Sequence, residues 1–184
     1  VQELVISPRS TGAVKRALLR NSKQLAVLFG RRDLNDRVLP LLITCLNATD
    51  WALRASFFRA VSSIGAFTGQ ESLDVFLLPC LEQALMDSAQ AAVVADAVRS
   101  IAQLVPYLRK RSLLGAVRKV VPLLERDDVA VRAAVVRLLS AAARSLSPPD
   151  VYTQLLVLLT PQLAREPLDP GDERQLAACL MRPP

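Results

Sequence analysis

Leu46-Asn47-Ala48-Thr49-Asp50-Trp51-Ala52-Leu53-Arg54-Ala55 and Leu124-Glu125-Arg126-Asp127-Asp128-Val129-Ala130-Val131-Arg132-Ala133 are two versions of one local pattern. Each closes an apolar helix, makes a short polar turn containing Asp, and opens a new amphipathic run with apolar-Arg-Ala. The spacing between Arg54 and Arg132 holds two equal periods, each of about 40 residues, and a period of that length with two helices per unit marks an α-solenoid of the HEAT type. The pattern therefore predicts an all-α chain of about four antiparallel helix pairs. Such arrays display partner-binding surfaces and seldom carry chemistry of their own.

Composition agrees. The 184 residues are 52% hydrophobic and 22% charged, enough to bury a substantial core. Aromatic residues make up only 4%, and Leu, Val and Ala dominate, which suits helix-on-helix packing rather than a β-sandwich. Six glycines are too few for a turn-rich all-β fold. The net charge of +6 comes from basic residues scattered among Asp and Glu rather than gathered in one tract. With aromatics so sparse, stacking on nucleic-acid bases is not expected.

Working outward from the repeated turn, residues 1–12 read as a tail or loop and residues 13–184 as the array. A helix over Ala13 to Phe29 carries Val14, Leu18, Leu25, Leu28 and Phe29 as its apolar positions, and Gly30 stops it. Asp33 or Asn35 is the expected cap of the next helix, and Asp50 of its partner, whose inward residues would include Trp51, Leu53, Phe57, Phe58 and Ile64. Ser72 or Glu71 opens a helix through Phe76, Leu77 and Leu81, and Asp87-Ser88 caps the one after it. Asp127 or Asp128 caps a helix from Val129. Ser147-Pro148-Pro149-Asp150 places a capping serine, a first-turn proline and an acid in the order a helix start requires. A short helix from Asp172 to Met181 follows the Pro/Gly loop. Pro40, Pro79 and Pro161 fall within first helices of the pairs and are expected to bend them.

Within the repeat, Asp50 and Asp128 satisfy orphan N–H groups of the helix that follows. Arg54 and Arg132 sit in a first turn, where the helix dipole disfavours a cation. Their expected compensation is an ion pair with the turn Asp of an adjacent repeat, so that Asp50, Trp51, Arg54, Asp128 and Arg132 form the structural signature. The middle repeat has Ala92-Val93-Val94 at the arginine position, so its rung should be missing.

Little in the chain points to catalysis. There is no histidine, hence no Ser-His or Cys-His pair, and no glycine-rich phosphate loop. No catalytic, cofactor-binding or metal-ligating residue is assigned. Cys45, Cys80 and Cys179 each lie in an apolar run and read as small buried hydrophobes. Asn47-Ala48-Thr49 reads as a chance glycosylation match in a turn. Arg109, Lys110 and Arg111, taken as a basic hinge, form with Arg118 and Lys119 the densest basic patch. It reads as a solvated face or as a contact with an acidic partner or lipid headgroups.

A more specific block runs Phe29-Gly30-Arg31, Asn35-Asp36, Ile43 to Asn47, Asp50-Trp51, Leu53-Arg54 and Phe57-Phe58, with Leu78 to Asp87 and Asp150-Val151-Tyr152 downstream. From about Val14 to about Pro167 the chain resembles the helical-repeat region of the large regulatory subunit of class III phosphatidylinositol 3-kinase. The resemblance implies an excerpt of a longer protein, with a protein-kinase-like domain before it and a β-propeller after it. ATP would belong only to that kinase-like domain. It also implies a non-catalytic scaffold joining the lipid kinase catalytic subunit to coiled-coil autophagy and endosomal subunits. The protein would be cytoplasmic and peripheral on endosomal and autophagic membranes, with no nucleic-acid partner. The alternative is a generic HEAT adaptor of another complex, such as a transport receptor or phosphatase scaffold.

Overall fold

Gly30 and Gly69, one repeat apart, set the rhythm of the chain in the computed structural model, which describes residues 12–86 and 90–181. Both have positive φ, 71° at Gly30 and 86° at Gly69, with ψ near the extended range. That region is open essentially to glycine alone, so each residue ends one helix and aims the next. Nine helices result among the described residues. Helix α1 covers residues 12–29, with an irregular turn at Asn21, and α2 covers residues 31–47. Helix α3 is Trp51–Thr68, α4 covers residues 70–84 and α5 is Ala91–Leu104. Helix α6 covers residues 110–125, α7 is Val129–Ser145, α8 covers residues 148–162 and α9 is Glu173–Cys179. Among the described residues no strand forms; Leu163 and Leu180 make one isolated antiparallel bridge.

The fold is an all-α solenoid of two layers. Helices α1, α3, α5, α7 and α9 pack side by side in one layer, and α2, α4, α6 and α8 cover it. The odd layer is rich in alanine, as in Ala95, Ala97 and Ala102 of α5 and Ala134 and Ala142 of α7, all buried. Small side chains let helix backbones approach closely. Even-layer backbones come close to one another at fewer points than odd-layer ones, and we call the closely packed odd-layer side the inner face. One continuous apolar core runs between the layers. Phe57 and Phe58 are fully buried at its centre, with rings edge to face at 5.5 Å and 77°.

The expected bends in the first helices take a definite form. Leu34–Val38 in α2 and Leu73–Leu77 in α4 are single π-helical stretches at equivalent positions of successive repeats. Each lies just before a proline, Pro40 or Pro79. A proline ring collides with the carbonyl four residues earlier, and a widened turn moves that carbonyl away. A third π stretch, Val151–Leu155 in α8, stands two repeats after the second but has Val157 where the others have proline. Proline is thus not the sole cause of the widened turn; Pro161 falls later, in the closing 3-10 turn.

Several helix starts differ from the sequence expectation. Asp33, Asn35, Glu71 and Ser72 cap nothing, because glycine-led turns start α2 at residue 31 and α4 at residue 70. Asn35 instead donates through Nδ2 to the Thr68 carbonyl at 3.0 Å, and Arg31 donates through Nε to the Phe67 carbonyl at 3.3 Å. These two side chains close the C-terminus of α3, whose last carbonyls have no partner within the helix. Gly12, expected in the tail, already belongs to α1. The rest of that tail and the expected cap at Asp87-Ser88 lie outside the described residues, and α5 starts at Ala91 after Gln90. Val14, Leu28, Trp51 and Phe76, assigned to inner faces, are exposed instead, Leu28 at 77% and Trp51 at 46%. Trp51 is the first residue of α3, where the chain has only begun to enter the layer.

Candidate interaction surfaces

Asp50 is the cap of α3, accepting from the Ala52 N–H at 2.9 Å. Its other carboxylate oxygen lies 2.7 Å from Arg16 Nη1 on α1. Arg16 precedes Ala17 as Arg54 precedes Ala55, one repeat earlier. An arginine in the first part of one odd-layer helix thus reaches the turn aspartate of the next repeat. The sequence reading missed Arg16, although the Arg-Ala pair at repeat spacing was its signal. Asp128 caps α7 by accepting from the Val131 N–H at 2.9 Å. The arginine that would pair with it is replaced by Val93, which is buried, and among the described residues Asp128 has no ion pair.

Arg54 and Arg132 share a second task. Arg54 Nη1 donates to the Ala48 carbonyl at 3.2 Å, and Arg132 Nη1 donates to the Leu124 carbonyl. Leu124 lies in the last turn of α6 and Ala48 is the first residue past α2, so both carbonyls stand at the end of an even-layer helix, where the negative end of the dipole favours a cation. Arg132 differs from the expected ladder: its Nη2 donates to the Met181 carbonyl at 3.0 Å, tying α7 to the segment after α9.

The basic patch does not act as one unit, nor is it a hinge, since α6 begins at Lys110. Two of its residues at this helix start face carboxylates on either side. Arg109 lies 3.5 Å from Asp74 on α4, and Lys110 lies 2.5 Å from Asp150 on α8. Lys119 pairs with Glu82 on α4. Farther along, Gln162 of α8 donates to Glu125 of α6 at 2.8 Å. These contacts stitch the even layer, whose backbones meet at few points compared with the odd layer. Asp150 is held below its ordinary carboxylate range by the Lys110 ammonium first, and then by the Ser147 hydroxyl. Arg111 and Arg118 remain exposed, with no hydrogen bond or ion pair among the described residues.

A third arrangement lies on the inner, odd-layer face. Arg20, Arg59, Arg99 and Arg137 occupy α1, α3, α5 and α7, each about one repeat from the last. Asp96 of α5, itself nearly buried, holds two of them, with Arg59 Nε at 3.1 Å and Arg99 Nη1 at 2.8 Å. Arg137 lies 3.7 Å from Glu173 of α9. The repeat spacing was present in the sequence, but this row was not picked out there.

Cys45 and Cys179 are buried, Cys80 is half-buried, and all three are free thiols. Burial raises the Cys45 and Cys80 thiols above their ordinary value, with Lys15 partly opposing the shift at Cys45. Among the described residues, no three His, Cys, Asp or Glu side chains come together as a metal site would require, and no helix is long and apolar enough to cross a membrane.

Comparison with known proteins adds to this geometry. Residues 1–184 match the family described as PIK3R4-like, middle domain. The chain is 35% identical over 161 residues to a probable serine/threonine-protein kinase vps15 of Dictyostelium discoideum, covering 86% of this chain and 8% of that protein. It is 38% identical over 185 residues to serine/threonine-protein kinase VPS15 of Arabidopsis thaliana, covering 100% of this chain and 12% of that protein. The chain therefore spans about a tenth of the length of these curated relatives. Among solved structures it is similar to Cex1p, with a TM-score of 0.74 at 20% identity, over 95% of this chain and 33% of that one. A designed armadillo repeat protein in complex with the peptide (KR)4 gives a TM-score of 0.60 at 19% identity, over 93% of this chain and 76% of that one. These two likenesses concern the fold.

Proposed function

The chain belongs to the PIK3R4-like middle-domain family, and from that membership we propose that it is a scaffold segment of the regulatory subunit of a class III phosphatidylinositol 3-kinase complex. In this reading it holds the lipid kinase catalytic subunit and coiled-coil subunits in fixed geometry, for autophagy and for endosomal or vacuolar sorting. The complex would be cytoplasmic and peripheral on endosomal and autophagic membranes. The family match over residues 1–184 carries the proposal, and the architecture supports it. Neighbouring helix pairs are joined by side chains at every seam, as between α1 and α3, α4 and α6, and α6 and α8. An array joined in this way transmits position from one end to the other, which a scaffold requires. The relatives are named as serine/threonine kinases whereas the matched family is a middle domain, so we assign kinase chemistry to residues outside this chain.

The test is affinity purification of the full-length protein from its own cells, with mass spectrometry of what accompanies it. A phosphatidylinositol 3-kinase catalytic subunit with coiled-coil partners is the expected result. A different stable complex without a lipid kinase would sink the assignment and favour a HEAT adaptor of another kind.

A further inference from the structure

The arginine row on the inner face has no part in the scaffold reading above. Arg20, Arg59, Arg99 and Arg137 lie on four successive odd-layer helices at repeat spacing. All four reach solvent: the side chains of Arg59 and Arg137 are 66% and 60% exposed, that of Arg99 is 40% exposed, and Arg20 is exposed and without a partner among the described residues. On α3 and α7 the residues one turn before and after the arginine are small: Ser56 and Ser63 flank Arg59, and Ala133 and Ala141 flank Arg137. On these two helices the guanidinium groups thus stand above short side chains that leave room for another backbone to approach.

Charge along the row is only partly compensated, two carboxylates facing four guanidinium groups among the described residues. A single carboxylate, Asp96, serves two guanidinium groups, and Arg59 and Arg99 each give it one donor nitrogen. A guanidinium carries five N–H donors, so most of theirs stay available while the side chains are held in place. Glu173 balances Arg137, and Arg20 has no such neighbour among the described residues. Lys23, one turn from Arg20, adds to the same sign.

We propose that this inner face docks an extended acidic peptide segment, laid across the odd-layer helices with its carboxylates on successive arginines. Packed helices stand ~8–10 Å apart. An extended chain advances ~3.3 Å per residue, so an acidic side chain at about every third position matches the row. Low aromatic content removes the stacking that single-stranded nucleic acid would need. Only the array and its charges carry this docking surface, so its failure would leave the lipid-kinase assignment untouched.

The experiment uses the 184-residue chain and fluorescence anisotropy at low salt. The probes are a labelled peptide repeating Glu-Ser-Gly and an isomer with its glutamates in one block. The spaced peptide should bind about tenfold more tightly than the block, and affinity should fall as salt rises, as expected for contacts between guanidinium and carboxylate. The double variant Arg20→Gln with Arg137→Gln should lose about tenfold in affinity. Its thermal melt should stay near wild type, since Arg20 supports no other group and Arg137 lies in an exposed pair. Equal affinity for the two peptides, or undiminished binding by the variant, would overturn the proposal. So would tighter binding to phosphatidylserine-containing vesicles that the same substitutions abolish, because the row would then be a membrane contact.

Discussion

Arg16 and Asp50 lie 34 residues apart in sequence and 2.7 Å apart in space, on two helices that pack side by side. Asp50 has two separable duties, since one oxygen caps α3 and the other receives Arg16. Asparagine is as good a cap as aspartate but carries no charge. Asp50→Asn should therefore remove only the ion pair, at a cost of at most about 1 kcal/mol for so exposed a pair. Asp50→Ala should cost about 1 kcal/mol more, through the lost cap. Urea unfolding of both variants measures the two duties; equal losses would mean that the cap contributes nothing.

Trp51 and Phe57 are both aromatic residues of α3, yet they differ in what surrounds them. Phe57 is fully buried and Trp51 is 46% exposed. Phe57→Ala should destabilise the chain by about 3–5 kcal/mol, because it leaves a cavity in a core that cannot collapse around it. Trp51→Ala should cost about 1 kcal/mol, set by partial area alone. Thermal melts decide, and a larger loss at Trp51 would contradict its position at the rim.

Gly30 and Gly69 test the turn geometry. An L-residue in either backbone conformation costs about 1–3 kcal/mol. A side chain at Gly30 would meet nothing within 4 Å, whereas at Gly69 it would lie 3.1 Å from the Arg31 guanidinium. Gly69→Ala should therefore be the more destabilising of the two, because it also displaces the group that closes α3. Equal melting temperatures would mean that Arg31 moves aside at no cost.

The α6–α8 seam should respond to acid through Asp150. Its carboxyl is held below its ordinary value of 3.8, chiefly by Lys110. A group with a lowered folded value stabilises the fold while ionised, above the value it has when unfolded, and loses that contribution as pH falls through the folded value. The stability difference between wild type and Asp150→Asn should hold from neutral pH down to about pH 5 and vanish below the ordinary carboxylate range. Denaturant unfolding across that range is the measurement. A difference that persists in strong acid would assign it to the hydrogen bonds that Asp150 accepts from Ser147 and Gln154 rather than to the ion pair.

What the sequence made legible were features that act locally. Asp50, Asp128 and Ser147 cap because a short acceptor before an apolar run has few other uses, and Gly30 stops a helix because other residues resist positive φ. The family resemblance was legible for a similar reason, since it rested on contiguous blocks such as Phe29-Gly30-Arg31. The burial of Trp51, Leu28 and Phe76 was misjudged because apolar periodicity shows which residues share a face but not where the neighbouring helix ends. The basic patch misled in another way. Arg109 and Arg111 are close neighbours in sequence, yet only Arg109 meets an acid, and that acid, Asp74, lies on a helix one repeat earlier. Partners separated by a whole repeat become visible only when equivalent positions are aligned, and such an alignment would also have exposed Arg16 and the inner arginine row.

The two layers are built from different forces, and this gives the array a sense of direction under load. Alanine-lined backbones in close contact carry the odd layer, with ion pairs such as Arg16–Asp50 and Arg59–Asp96 added to that packing, whereas charged side chains bridging wider gaps carry more of the even layer and make it the more responsive to ions. Like a strip of two bonded metals with unequal expansion, the chain should flex toward one side when the medium changes. Screening ions weaken the outer stitching more than the packed inner spine, so the spacing of the outer helices becomes a quantity that ionic strength can tune without unfolding a single helix.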